Sequence, residues 1–586
     1  MAYDKNKLGE LRPNQIITTF GPGSIVDAVK DSVTVLDTSY WREKGVKIID
    51  GRLASYLGVD CFYMPRTSNA GDIPVISFPY MHVCSNPRCG RIFDIREGFN
   101  LDLYLMKGAN CPECGWQAYP SRFISVCEDG HMDDFPWSWW VHKGEKGCNG
   151  TLRTSSSGNT STLADMWVTC DACGARRNMS GAMQKDNFEG CGCSGKHPFR
   201  PHVKGVHCDK PLIPSQRGAS NVYFSVSRSA ISIPPWINPL YNLIDEHLRL
   251  ILNYKEDFGE MGVSKIYDKY FADKYSREDF DNALAKRLNN IKEFTEIKQM
   301  EYEAITNHSD PTYQSNKKHF KAEEDPLPQP LQKYFNRVIR VTRLREVKVL
   351  LGFTRVDASD PDADADDQPN IVSLSKGKNE KWLPAAEING EGIFIEFNRA
   401  YLDKWIKIPG VKEISTKYEE SYREFCKQKK WTVSILRNAV YVLIHTFSHM
   451  LIKQMSMSSG YSSAAIRERI YFGEKMAGVL LYTGSADKEG SLGGLVELGN
   501  IDRLIVLMRD AFQEALLCTN DPECLNHTPA GDNSNGAACH SCCMISETAC
   551  ENGNRMLDRG LVVPIDRREE QSYFKELVAD LCQLEI

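Results

Sequence analysis

Residues 431–455, WTVSILRNAVYVLIHTFSHMLIKQM, are nearly all apolar, which predicts a long helix buried on every side rather than one with a wet face. Two other stretches repeat their apolar positions at helical spacing. LYNLIDEHLRLILNY (240–254) opens a charged segment read as a helical insertion, and IDRLIVLMRDAFQEALLC (501–518) is amphipathic. Residues 331–400 alternate as strands do, and residues 1–80 mix short β-like runs with turns. The prolines of ISIPPWINP (231–239) mark a boundary. The expected division is an N-terminal segment (1–80), a zinc ribbon (81–120), a second Cys/His-rich module (121–235), a helical insertion (236–330), a β-rich segment (331–400) and a C-terminal domain (401–586). The expected fold class is multidomain α+β: zinc-ribbon-like modules, a helical insertion, and a mixed α/β C-terminal domain with a four-cysteine zinc site.

A chain of 586 residues has room for several cores. Its net charge of −6 argues against an autonomous, strongly basic nucleic-acid binder, leaving room for a local basic face or a basic partner. The first residues are polar, without the apolar stretch of a secretory signal, and no run of eighteen apolar residues occurs. The expectation is a cytoplasmic protein. Twenty cysteines then need explaining, because a reducing compartment does not keep disulfides. Clustered there, they read as metal ligands or catalytic groups.

CSNPRCG (84–90) and CPECGW (111–116) each offer two thiolates from a short turn. Four soft ligands in a tetrahedron suit Zn²⁺, so Cys84, Cys89, Cys111 and Cys114 are expected to form a closed structural site. The next region is crowded. Cys170 and Cys173 anchor a second site, completed by Cys191 or Cys193 with Cys208; the set taken is Cys170, Cys173, Cys191 and Cys208. Cys127, His131 and Cys148 complete another site or simply pack. Near the C-terminus, a CxxC following the polar loop NHTPAGDNSNGAAC lacks the strand-to-helix setting of a redox pair. Cys524, Cys539, Cys542 and Cys550 are the expected ligands, Cys518 the alternate, with Cys543 pointing elsewhere.

His445 and His449 lie i, i+4 on the buried helix, on one face. That spacing suits a metal, but the glutamate of HExxH is absent, and core histidines are the favoured reading over a metal-dependent nuclease or hydrolase site. Arg337, Arg340, Arg343, Arg345 and Lys348 fall close together among apolar residues and are the candidate nucleic-acid contacts, a salt-bridged face being the other reading. TTFGPGSIVD (18–27) reads as a tight turn rather than a phosphate cradle, and VDASDPDADADDQP (356–369) as a solvated loop without the glycine and glutamate of an EF-hand. There is no P-loop, so no ATPase of that kind.

Six stretches together resemble the DrmB family of the bacterial DISARM anti-phage system: RPNQIITTFGPGSIVD (12–27), CEDGHMDDFPWSWWVH (127–142), QRGASNVYFSVSRSAISIPPW (216–236), GEGIF (390–394), HTFSHMLIKQMS (445–456) and AACHSCCMISETACENGNRMLDRG (537–560). The C-terminal part is also similar to the zinc-binding domain that ends a group of DNA helicases, in which a four-cysteine cluster precedes an Asn-x-x-Leu-Asp-Arg-like segment; here these are Asn554, Leu557, Asp558 and Arg559. The resemblance implies a non-catalytic, zinc-binding subunit that pairs with a DrmA-like helicase, the two engaging foreign DNA. The missing ATPase motif agrees, since the motor would sit in the partner. A pure scaffold without DNA contact is the remaining alternative.

Overall fold

Two very long antiparallel strands, Phe335–Thr354 and Trp382–Phe397, run through the middle of the chain's largest sheet. The structure is a computed structural model. It describes residues 8–28, 31–69, 72–97, 108–145, 148–156, 162–288, 291–314, 319–359, 370–375, 381–429, 431–433, 435–462, 464–485, 494–530 and 534–583. The acidic run 360–369, most of the expected solvated loop, lies outside them.

The strand Phe224–Ile231 pairs with the first long strand on one side. Ala477–Ser485 and then Ile466–Phe472 continue the sheet on the other. Both faces of this sheet are covered, and the two-residue pleat sends successive side chains to opposite cores. Ile393, Ile395, Val479 and Leu481 point to one core, Phe394, Leu480 and Tyr482 to the opposite one. The first face packs on the helix Ala439–Ser459, the second on the helix Phe294–Thr306 through Tyr302 and Ile305.

Ala439–Ser459 is buried from Ala439 to Ile452 without a break, as its nearly all-apolar sequence predicts. Asn438 Oδ1 caps it by accepting from the N–H groups of Val440 and Tyr441, and Gly460 ends it at φ 73°. Its other neighbour is the amphipathic helix Ile501–Leu516, whose Leu504, Leu507, Met508 and Phe512 join the same core. Each such buried leucine stabilises the fold by roughly 2 kcal/mol.

The insertion is helical from Pro239 to Tyr270, broken in backbone geometry at Gly259, and continues through Arg277–Leu288. These helices form a satellite core around Ile244, Phe271 and Phe280. The N-terminal segment joins the large sheet, since Cys61–Met64 pairs in parallel with Trp382–Pro384.

A second, seven-stranded antiparallel sheet is assembled from Met81–Cys84, Arg91–Asp94, Ala109–Asn110, Gln117–Pro120, Leu152–Ser156, Met166–Cys170 and Arg176–Asn178. Beside it, Met132–Asp134, Phe123–Val126 and Ile213–Gln216 form a three-stranded sheet. Buried Arg355, just after the long strand Phe335–Thr354, ties this region to the rest: it donates to the carbonyls of Gly130 (3.0 Å) and Gly23 (2.8 Å). Gly23 holds φ 86° with its α-carbon against the Phe353 ring, where a side chain would collide, so the GPG turn is built for packing.

Candidate metal centres

Four groups of Cys and His side chains are drawn together, each with four ligand atoms within 4.8 Å of one another. In the first, Cys84 Sγ lies 3.4 Å from Cys114 Sγ, and Cys89 Sγ 3.7 Å from Cys111 Sγ. A disulfide would bring sulfurs to about 2.05 Å. Four thiolates around zinc, each about 2.3 Å from the ion, stand about 3.8 Å apart along a tetrahedron's edges. The observed spacing is that of a metal tetrahedron, and all twenty cysteines are free thiols. The two turns are short because glycine closes them: Gly90 sits at φ 54° against the Thr154 carbonyl, where a β-carbon has no room.

The second group joins Cys127, His131, Cys193 and Cys208, with Cys127 Sγ 3.3 Å from His131 Nδ1 and 4.0 Å from Cys208 Sγ. The third joins His142, Cys148, Cys170 and Cys173. Cys148 and Cys170 sulfurs are 3.5 Å apart, and Cys173 Sγ is 3.3 Å from His142 Nε2. His142 Nδ1 donates to the Ser138 carbonyl at 2.7 Å, which leaves the Nε2 lone pair directed at the group. Burial raises the Cys170 pKa, but the N–H groups of Cys173 and Ala172, with His142 and Cys148 beside them, bring the thiol down to about 6.

The crowded region therefore divides differently from the expectation. Cys170 and Cys173 do not meet Cys191 and Cys208. Cys208 belongs with Cys127, His131 and Cys193, and Cys191 packs against the aromatic cluster of Phe135, Trp140 and Phe188. Residues 191 and 193 are two positions apart, and only the direction of each side chain separates ligand from packing residue. Cys127, His131 and Cys148, left open in the sequence, all enter groups. His142 was missed because it follows WSWW, a run that reads as core.

The first and third groups share one sheet. Leu152 pairs with Ile92 and Arg153 with Arg91, joining the two ribbons edge to edge. Arg153 then bridges them: its guanidinium donates to the Cys89 carbonyl (3.0 Å) and to Cys89 Sγ (3.4 Å), and pairs with Asp171 and Glu113. A cation there offsets the negative charge a four-thiolate site carries.

The fourth group joins Cys518, Cys524, Cys539 and Cys542, with sulfur separations of 3.5 Å (Cys518–Cys539) and 3.7 Å (Cys524–Cys542 and Cys539–Cys542). Cys518, the alternate, stands where Cys550 was expected. It directly follows the helix Ile501–Leu516, which delivers it to the CxxC turn. Cys550 turns away to lie 3.2 Å from His445 Nε2 under the long buried helix. Cys543 is wholly buried outside the group. The Asn554–Arg559 segment is a brace: Asn554 exchanges hydrogen bonds with the backbone of Ile545, Leu557 is core, and Asp558 accepts from Arg568, Tyr418 and the Ala537 N–H.

The basic stretch lies on the first long strand, and most of its charge is answered within the chain. Arg337 pairs with Glu396 (3.1 Å), Arg340 with Asp325 (3.0 Å), and Arg345, buried, with Glu387 (3.0 Å). Lys348 is pushed down to about 8 by burial and then by Arg467. Arg343 is exposed and has no carboxylate partner among the described residues. His445 and His449 are wholly buried.

Comparison with known proteins fits this arrangement. A domain of unknown function, DUF8724, matches residues 12–224, the region of the first three groups. The MrfA Zn-binding domain matches residues 447–543, which contain the fourth group and end before Cys550. The DISARM protein DrmB of Bacillus paralicheniformis is 43% identical over 568 residues, 94% of this chain and 100% of that protein. With that identity running along nearly its whole length, and a zinc-binding domain laid over its C-terminal cysteines, the chain belongs to the DrmB family of the DISARM antiviral defence system.

Proposed function

We propose that this chain is a non-catalytic, zinc-stabilised subunit of a cytoplasmic antiviral complex that pairs with a DrmA-like helicase to engage foreign DNA. The observation that carries the reading is the fourth group. Its cysteines fall inside a zinc-binding domain and fill a tetrahedron, leaving no position for an activated water. The same reasoning assigns Zn²⁺, in a structural role, to the other three groups. Burial of His445 and His449 supports the non-catalytic reading over a nuclease, because no substrate reaches them. Twenty unbridged cysteines support a reducing compartment. Among the described residues no helix is long and apolar enough to cross a membrane.

The test is co-expression with a DrmA-like helicase, followed by affinity purification and ultraviolet crosslinking to DNA. We expect a stable pair that crosslinks to DNA, and no cleavage by this chain alone with Mg²⁺, Mn²⁺ or Zn²⁺. Failure to co-purify, or DNA cleavage by this chain alone, overturns the reading.

A further inference from the structure

His445 and His449 are not idle core residues. Their Nε2 atoms point at the same oxygen, Glu468 Oε1, from 3.1 and 3.3 Å, and His445 Nε2 also lies 3.2 Å from Cys550 Sγ. All four side chains are buried, and their ligand atoms lie within 4.8 Å of one another. They come from three separate elements: the long helix, the strand Ile466–Phe472 and the tail after the fourth group.

Without a metal, the two imidazoles compete for a single carboxylate oxygen. His449 Nδ1 lies 2.9 Å from the Cys543 carbonyl and His445 Nδ1 3.3 Å from the Met556 carbonyl. A carbonyl only accepts, so both Nδ1 atoms carry hydrogen, and a neutral ring then directs its Nε2 lone pair inward. Two neutral rings set lone pairs against a carboxylate oxygen. Two protonated rings place two buried cations on one carboxylate, at a steep desolvation cost. One of each leaves a lone pair that only the Cys550 S–H, 3.2 Å from His445 Nε2, is placed to fill. A divalent cation at the centre removes the conflict: Glu468 and a Cys550 thiolate cancel its charge, and both imidazoles donate to it.

The surroundings are those of ligands held in place. Each imidazole is oriented through its outer nitrogen by a backbone carbonyl, as metal-bound histidines are. Cys550 Sγ accepts from the N–H groups of Asn552 (3.3 Å) and Asn554 (3.2 Å), which fix the sulfur's position beside His445. Glu468 is fixed by the Glu551 N–H (3.1 Å) and by the Ser448 hydroxyl. We propose that His445, His449, Glu468 and Cys550 form a fifth metal site, holding one divalent transition-metal ion, with zinc the best match to two imidazoles, a carboxylate and a thiolate. The site is closed and structural. It fastens the long helix and the large sheet to the tail that follows the fourth group.

Metal content of the purified full chain, measured by inductively coupled plasma mass spectrometry, tests this. We expect Glu468→Gln and Cys550→Ser each to hold one equivalent less than the wild type. Folded variants that retain the wild-type count overturn the proposal. Should both variants fail to fold, anomalous diffraction from wild-type crystals at the zinc edge decides: a peak among these four side chains supports the site, and none there overturns it. The difference between variant and wild type is independent of metal occupancy at the other four groups.

Discussion

Arg559 and Asp521 form a two-pronged ion pair behind the fourth group: Nη2 of the wholly buried arginine reaches both carboxylate oxygens, at 2.5 and 2.6 Å. The other arm of the guanidinium donates to the carbonyls of Ala515 (3.0 Å) and Leu516 (3.1 Å), the open end of the helix that delivers Cys518. One side chain thus satisfies a helix terminus and positions the loop carrying Cys518 and Cys524. Arg559→Ala leaves those carbonyls and the carboxylate without their donor. The expected loss is about 3 kcal/mol, seen as a melting temperature lower by roughly 5–10 °C in differential scanning fluorimetry. Arg559→Lys recovers only part of it, because an ammonium cannot serve both arms.

Neighbouring cysteines should part company in metal analysis. Cys193→Ser is expected to lose one equivalent of zinc and to melt earlier, since metal binding in such sites is coupled to folding. Cys191→Ala, two residues away, is expected to keep the wild-type metal content and to lose only packing against Phe188 and its neighbours. The same contrast holds between Cys542→Ser, which loses zinc, and Cys543→Ala, which does not.

The two outermost readings of the basic stretch separate at Arg343 and Arg345. Arg345 donates to Ser232 Oγ (2.9 Å) and pairs with Glu387 under cover. Arg345→Ala should cost about 2–3 kcal/mol of stability. Arg343→Ala should change stability by less than about 0.5 kcal/mol. In DNA binding by the assembled complex it should lower the slope of log K against log[salt] by roughly one. An unchanged slope means that Arg343 does not meet phosphate.

A pH response should come from Asp134. Its carboxyl is pushed up to about 7, chiefly by burial and further by Asp133 and Asp94, against the hydrogen bond from the Met81 N–H (2.9 Å). The fold prefers the protonated acid. Its contribution is therefore complete below the unfolded value of 3.8 and is lost as pH rises through 7. Asp134→Asn keeps an oxygen for Met81 and carries no charge. It should raise the melting temperature at pH 8, leave it little changed at pH 4, and flatten the profile between.

Much of the scaffold was legible in the sequence because it follows from local patterns. The buried helix shows as a nearly all-apolar run, and the strands of 331–400 as alternation along what prove to be two long paired strands. The first cysteine group was legible too, because both of its pairs are close in sequence and no other cysteine competes. What stayed hidden depends on distant chain and on side-chain direction. Cys518 displaces Cys550 only because the preceding helix carries it to the CxxC turn. Glu468 reaches His445 and His449 from the next strand, so the missing glutamate of HExxH gave no hint of it. The arginines looked like a stripe because a sequence does not show Glu396, Asp325 and Glu387 lying opposite them.

The joined ribbons also set how the N-terminal region would come apart. Their seven strands end in two short edges, Ala109–Asn110 and Arg176–Asn178, each next to a cysteine turn. With a metal ion in each group, each edge would be held short and in register. An oxidant or a strong chelator that strips one ion would release its neighbouring edge and leave unpaired N–H and C=O groups facing outward, a template for other chains. Damage at a single ion would then spread between molecules as aggregation, so soluble yield under oxidising conditions would report on ion loss before any drop in activity does.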